Sequence, residues 1–145
     1  MIALIQRVRR ASVDIDEQTI ASIDTGLLAL VAAEADDTPA RAKRLAERVL
    51  AYRIFVDDTG RMNRSAVDAD KALLAVPQFT LAADTRRGNR PSFSNACPPD
   101  EARGLFDTFV EAANHRYPRI QTGRFGADMQ VALINDGPVT FWLTA

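Results

Sequence analysis

The chain has little of what hydrolytic or redox enzymes usually work with. Of its 145 residues one is cysteine, Cys97, and one is histidine, His115. A lone cysteine closes no intrachain disulfide, and Cys97, followed by Pro98-Pro99, carries no motif of a reactive thiol. No Cys/His grouping has zinc-ligand spacing, so neither a metal nor an organic cofactor is expected. His115 falls in the last turn of a predicted helix, where its expected part is to meet the helix dipole, and no His-based triad follows from it. No apolar run approaches the ~20 residues of a membrane span. The opening Met1-Ile2-Ala3-Leu4-Ile5 followed by Gln6-Arg7 lacks the basic-then-apolar order of a secretory signal, so the cytoplasm is the expected compartment. An excess of positive charge is missing too: 18 Lys and Arg face 19 Asp and Glu, for a net charge of −1. That sum argues against a broad nucleic-acid footprint. Local clusters remain, with Arg86, Arg87 and Arg90 within five positions and Arg7, Arg9 and Arg10 near the start. Local charge, rather than the sum, steers a ligand, so either cluster reads as a solvated loop or strand face or as a small contact patch.

What is present is ordinary for a globular protein: 47% apolar and 26% charged residues. The length suits one domain, residues 1–145, that buries about two-thirds of its unfolded surface. Residues 1–10 read as a strand, and Ser12 to Asp16 continues the alternation into a hairpin with Thr19 to Ile23. Gly26 restarts a buried strand, Leu27 to Ala32. Thr38-Pro39 is a helix-start signal, with Ala42, Leu45, Ala46, Val49 and Leu50 at helical spacing behind it. Arg53 to Val56 reads as a short strand closed by the turn Asp57-Asp58-Thr59-Gly60, and Ala72 to Gln78 as another. Pro98-Pro99-Asp100 opens a second helix with the face Ala102, Leu105, Phe106, Phe109, Val110 and Ala113, which Tyr117-Pro118 ends. Strands near 119–122, 128–134 and 139–144 complete the chain. The expected fold class is α/β: one compact domain with a mostly antiparallel or mixed, barrel-like sheet and two amphipathic helices packed on it.

Two motifs stand out. Asn135-Asp136-Gly137-Pro138-Val139-Thr140 sets a Gly-Pro peptide between the apolar runs 129–134 and 141–143. Proline brings the cis form to about 0.5–1 kcal/mol above trans, and glycine leaves room for a ligand to approach. The junction therefore reads either as a tight turn between two strands or as a pair of outward-facing carbonyls. Val76-Pro77-Gln78-Phe79-Thr80-Leu81 ends an apolar strand and leads into the arginine-rich segment through Phe93. Thr80 is a hydroxyl without a neighbouring base, a poor nucleophile at neutral pH, and its expected role is to position something.

With the opening Met1 to Val8, and with Arg53-Ile54-Phe55, Gln121-Thr122-Gly123-Arg124-Phe125 and Asp128-Met129-Gln130-Val131, these motifs resemble the bacterial D-aminoacyl-tRNA deacylases over the whole chain. The resemblance implies an editing hydrolase that removes D-amino acids, and glycine, from tRNA. The 2′-hydroxyl of the terminal adenosine assists, and backbone amides around Gln78, Phe79 and Thr80 hold the developing charge. It implies a homodimer in which a cis Gly137-Pro138 peptide enters the other subunit's site, captures the substrate α-ammonium and excludes an L side chain. Arg7 orients that peptide, Met129 lies nearby, and Arg86, Arg87 and Arg90 face the tRNA. One position departs from the pattern, because Pro77 stands where the family usually has serine, which removes a hydroxyl and a backbone N–H. An animal-type branch also has Pro-Gln there, with a trans Gly-Pro and looser chiral selection. The alternative reading is a catalytically weak, nucleic-acid-binding dimer.

Overall fold

The computed structural model describes residues 1–145. Its organising strand is β1 (Ile2–Ile15), which pairs along one edge with β8 (Gln130–Thr144). Its other edge is divided, with Ile2 to Val8 pairing β3 (Gly26–Ala32) and Ala11 to Ile15 pairing β2 (Gln18–Ile23). The β1–β2 hairpin turns on Asp16 and Glu17, both in left-handed backbone at φ 49° and 63°, the requirement of the tight turn that matches strand twist. Beyond β3 the pairing becomes parallel, through β6 (Ala72–Pro77) to β7 (Ile120–Thr122).

Parallel neighbours need crossover connections, and the two helices supply them. α1 (Pro39–Ala51) lies between β3 and β6 in the chain, and α2 (Pro99–Arg116) between β6 and β7. Thr38 caps α1 by accepting the amide of Arg41 at 3.3 Å, with Pro39 in the first turn. The helices pack on each other and on one face of the sheet, where Leu27, Ala29, Val31, Leu73 and Ala75 meet Leu45, Val49, Phe106 and Phe109. On the opposite face, Leu28, Leu74 and Val76 join Val8, Val13, Ala21 and Ile23 in a second core, and β2 comes into contact with β6 and β7. β3 and β6 are thus buried on both faces, which is why their sequences run apolar without alternation. The sheet is mixed and curls toward a barrel around the second core, with both helices outside it.

The expected α/β fold, with two amphipathic helices on a barrel-like mixed sheet, is the one observed; the differences are local. The strands expected at 128–134 and 139–144 are one strand. β8 runs through Gly137-Pro138, and its register against β1 jumps from Gln6↔Thr140 to Val8↔Asn135, so residues 136–139 bulge out opposite Arg7. The short strand expected at Arg53 is only Phe55–Val56 (β4), paired with an unforeseen β5 (Met62–Arg64). All three β5 residues are exposed, so no alternation announces it. The intervening turn is built on Asp57, whose carboxylate accepts Thr59 N at 2.8 Å, Thr59 Oγ1 at 2.7 Å and Asn63 Nδ2 at 2.7 Å. Val110, expected on the inner face of α2, sits half-buried at its margin. Phe79 to Ala82 form a 3-10 turn directly after β6. No helix is long and apolar enough to cross a membrane.

Phe109 is fully buried between α1, α2 and the sheet. Phe109→Ala should lower the unfolding free energy by about 3–5 kcal/mol through lost burial and the cavity left behind. Urea unfolding should display this as a lower midpoint with an unchanged slope.

Candidate active site

The site forms where parallel strands end. β6 stops at the buried Pro77, which sits opposite Val31 of β3. Proline closes the ladder there because it has no N–H to donate. Gln78 leaves the strand at φ −142°, ψ 71°, and its amide donates to the Val31 carbonyl at 2.7 Å. That bond anchors the turn to β3. The first hydrogen bond of the 3-10 turn runs from Leu81 N to Gln78 O at 3.1 Å, so the amides of Phe79 and Thr80 lie ahead of it, where helical turns leave donors unclaimed. The Gln78 side chain donates from Nε2 to Thr80 Oγ1 at 2.6 Å, which fixes the hydroxyl.

Beside this turn is a cavity of about 420 Å³ whose lining is mainly apolar and includes Pro77, Gln78, Phe79, Cys97, Phe125 and Met129. Gly123, just beyond β7, makes room for Met129: a Cβ on it would stand 2.9 Å from the Met129 sulfur and 3.3 Å from Pro77 Cδ. The same sulfur accepts the Arg124 amide at 3.3 Å. Burial pushes the Cys97 thiol pKa up, with Glu101 and Asp37 adding to the effect, so the thiol lines this wall in its neutral form. His115 is in the last turn of α2 and does not line the cavity. No three His, Cys, Asp or Glu side chains gather into a metal-binding set.

The second motif occupies the β8 bulge. Arg7 clamps it: Nε donates to the Asp136 carbonyl at 3.2 Å and pairs with the Asp136 carboxylate at 2.9 Å, while the guanidinium also donates to the Ile54 carbonyl at 2.6 Å. Asn135 clamps it from the other side, donating from Nδ2 to the carbonyls of Arg7 at 2.9 Å and Val139 at 3.2 Å. A Cβ on Gly137 would strike the Asn135 side-chain oxygen, so a larger residue there would push the Asn135 amide from its place. The Gly137–Pro138 peptide bond is cis, and both residues are exposed. Neither they nor Arg7 line the cavity of their own chain.

Of the residues singled out in the sequence, the fold brings Pro77, Gln78, Phe79 and Met129 together around the cavity, with Thr80 bonded to Gln78. It holds Gly137, Pro138 and Arg7 in a separate cluster. The arginine loop is a third. Arg86 folds back on Asp84 in a two-pronged pair, Nε to Oδ1 at 2.9 Å and a terminal nitrogen to Oδ2 at 2.6 Å, whereas Arg87 and Arg90 are exposed without a carboxylate partner. No role for Phe125, Asn135 or Phe93 follows from the sequence. Phe125 and Asn135 lay inside stretches already notable for their pattern, and only packing reveals what they touch.

The family described as D-Tyr-tRNA(Tyr) deacylase matches residues 4–144 of the chain. A D-aminoacyl-tRNA deacylase from Paraburkholderia xenovorans (strain LB400) is 59% identical over 148 residues, covering 99% of this chain and 97% of the relative. One from Herminiimonas arsenicoxydans is 58% identical over 143 residues, covering 99% and 96%. Among solved structures, a c-Myc DNA unwinding element binding protein superposes with a TM-score of 0.95 at 36% identity, covering 100% of this chain and 99% of the other. A probable eukaryotic D-amino acid tRNA deacylase superposes with a TM-score of 0.86 at 15% identity, covering 99% and 98%, a likeness of fold.

The Asp84 carboxyl is held well below the usual carboxylate range, first by the Arg86 side chain and then by the Arg86 amide. A carboxyl whose folded pKa is depressed contributes stability above its unfolded pKa and loses it as pH falls toward the folded value. Asp84→Asn should therefore lower the thermal midpoint at pH 7. The gap to wild type should narrow below about pH 4, as melting curves across pH would record.

Proposed function

Because the chain belongs to the D-Tyr-tRNA(Tyr) deacylase family, we propose that it hydrolyses the ester between a D-amino acid and the 3′-terminal adenosine of tRNA, in the cytoplasm where tRNA is charged. The observation that carries this reading is the family match across residues 4–144, supported by a cavity at the Gln78-Phe79-Thr80 turn. Water adds to the ester carbonyl, the oxyanion forms within reach of the Phe79 amide, and the tetrahedral adduct collapses to free D-amino acid and the ribose hydroxyl of tRNA. No side chain of the turn is a strong base, so the 2′-hydroxyl of the terminal adenosine assists the proton transfer. The protein supplies position and preorganised dipoles. Thr80 is a lining group held by Gln78.

Chirality is read by a second copy of the chain. The carbonyls of the exposed Gly137 and Pro138, held through the flanking Asp136 and Val139 by Arg7 and Asn135, reach the partner's cavity and accept hydrogen bonds from the substrate α-ammonium. With the ammonium and ester fixed, an L side chain meets main chain while a D side chain points away. Glycine has no side chain to refuse, so glycyl-tRNA, including glycine misplaced on alanine tRNA, is a substrate. Exposed apolar side chains along β8 support such pairing: Leu133, Ile134 and Trp142 are exposed large apolar residues on an edge strand. The apolar run Val139 to Leu143 contributes less to that face than its composition promises, because Val139 and Leu143 turn into the chain's own core. Arg87 and Arg90 face the acceptor end.

A second reading, a nucleic-acid-binding dimer with weak turnover, is favoured by one observation: the close structural likeness to the c-Myc DNA unwinding element binding protein. Deacylation separates the two. D-Tyrosyl-tRNA should be hydrolysed by submicromolar enzyme while L-tyrosyl-tRNA persists; tight binding of both without release would establish the second reading instead.

Two measurements probe the mechanism. Thr80→Ala removes one hydrogen bond worth about 0.5–1.5 kcal/mol and should slow turnover by roughly tenfold or less. Complete loss in a folded variant would revive a threonine nucleophile. Substrate ending in 2′-deoxyadenosine, acylated at the 3′ position, should react about 10²-fold slower or worse, the scale of a lost positioned proton transfer.

A further inference from the structure

Phe79 and Phe93 are the most exposed phenylalanines of the chain, at 55% and 41%, and they stand together. Their ring centroids are 5.3 Å apart at an interplanar angle of 48°. Phe79 also lines the cavity, so the pair forms an aromatic shelf continuous with its mouth. Phe93 is held where it is: the main chains of Asp84 and Ser92 exchange hydrogen bonds of 2.7 and 3.1 Å, closing the arginine loop just before it, and its carbonyl accepts the Ala96 amide at 3.0 Å. The loop so closed carries Arg87 and Arg90, exposed and without carboxylate partners, while Arg86 is neutralised by Asp84. Flat apolar rings beside unneutralised guanidinium groups match a single-stranded nucleic acid, which offers a π-face at every base and a negative charge at every phosphate.

We propose that the Phe79–Phe93 pair is a stacking platform for the unpaired nucleotide that precedes the terminal adenosine of the tRNA acceptor end, with Arg87 and Arg90 taking its phosphates. This rests on the reading of the cavity as the seat of the aminoacylated adenosine. Phe93 is then a positioning residue: it sets where the 3′ end lies and touches no reacting atom. Stacking tolerates any base, so the platform adds affinity without choosing among tRNAs.

The test compares two substrates, D-tyrosyl-tRNA and D-tyrosyl-adenosine, which has no preceding nucleotide. Phe93→Leu keeps apolar volume without an aromatic face. It should raise KM for D-tyrosyl-tRNA about 5- to 100-fold, the worth of one base stacked on an aromatic side chain. kcat should hold, kcat/KM for D-tyrosyl-adenosine should change far less, and Phe93→Tyr should restore the KM. Equal losses on both substrates would mean that Phe93 merely props Phe79, and a wild-type KM in Phe93→Leu would remove the platform; either overturns the proposal. So would a change in sedimentation of the variant, which would make a second copy of this chain the occupant of the shelf. Binding of the uncharged tetranucleotide ACCA, measured for wild type and Phe93→Leu, tests the platform without turnover. Weaker binding by the variant supports the platform even if wild type hydrolyses neither ester, an outcome that would defeat the proposed activity; equal binding overturns the platform even if both esters are hydrolysed.

Discussion

Burial of β3 and β6 on both faces is the constraint from which the rest of the structure follows. Two adjacent parallel strands without a solvated side need cover twice over. The helices give it on one face through Leu45, Val49, Phe106 and Phe109; the other face is covered by the sheet itself, which curls until β2 meets β6 and β7. Parallel strands finish on one side, and ligand crevices in such sheets lie outside their carboxyl ends. Here β6 finishes at Pro77 and β7 shortly before Gly123, and the cavity lies between the segments that follow them.

A second order of control is exercised by single side chains on main-chain groups. Arg7 ties together the Asp136 carbonyl and carboxylate and the Ile54 carbonyl, drawing two separate segments to one guanidinium. Its planar fork suits this task better than the point charge of a lysine. Asn135 completes the arrangement, and its side-chain oxygen sits where a Cβ on residue 137 would stand. At the other motif Gln78 plays the equivalent part, its amide on Val31 and its side chain on Thr80. Both motifs therefore present backbone dipoles held rigid by amide or guanidinium side chains, and neither carries a strong acid, base or thiolate. A reaction run on such a site draws on preorganised polarity, which needs no reorganisation as charge develops. The raised thiol pKa of Cys97 fits the same pattern: burial keeps the one sulfhydryl of the cavity wall in its neutral form.

Much of the architecture was legible along the chain because its signals are local. Thr38-Pro39 and Pro98-Pro99 announced both helices, and the unbroken apolar runs of β3 and β6 announced strands without a wet face. The arginine triplet was legible only as charge: the carboxylate that neutralises Arg86 sits two residues away at Asp84, yet nothing in the spacing says that the pair closes. β5 was invisible, since three exposed residues carry no period. The strand through Gly137-Pro138 was misread as two because proline and glycine punctuate most strands. Here the partner β1 simply skips the bulged residues and resumes pairing.

What the amino-acid order settled alone was the helices, the apolar strands, the shortage of reactive side chains and, through motif likeness, the family. These depend on neighbours within a few positions, or on patterns kept whole in the chain. Only tertiary structure decided that Gln78 is anchored by a carbonyl of β3, that Arg7 reaches across to Asp136, and that Phe79 meets Phe93 beside Arg87 and Arg90. Each of these contacts joins segments that the chain order leaves apart, through strand pairing and loop closure that no local stretch of sequence encodes.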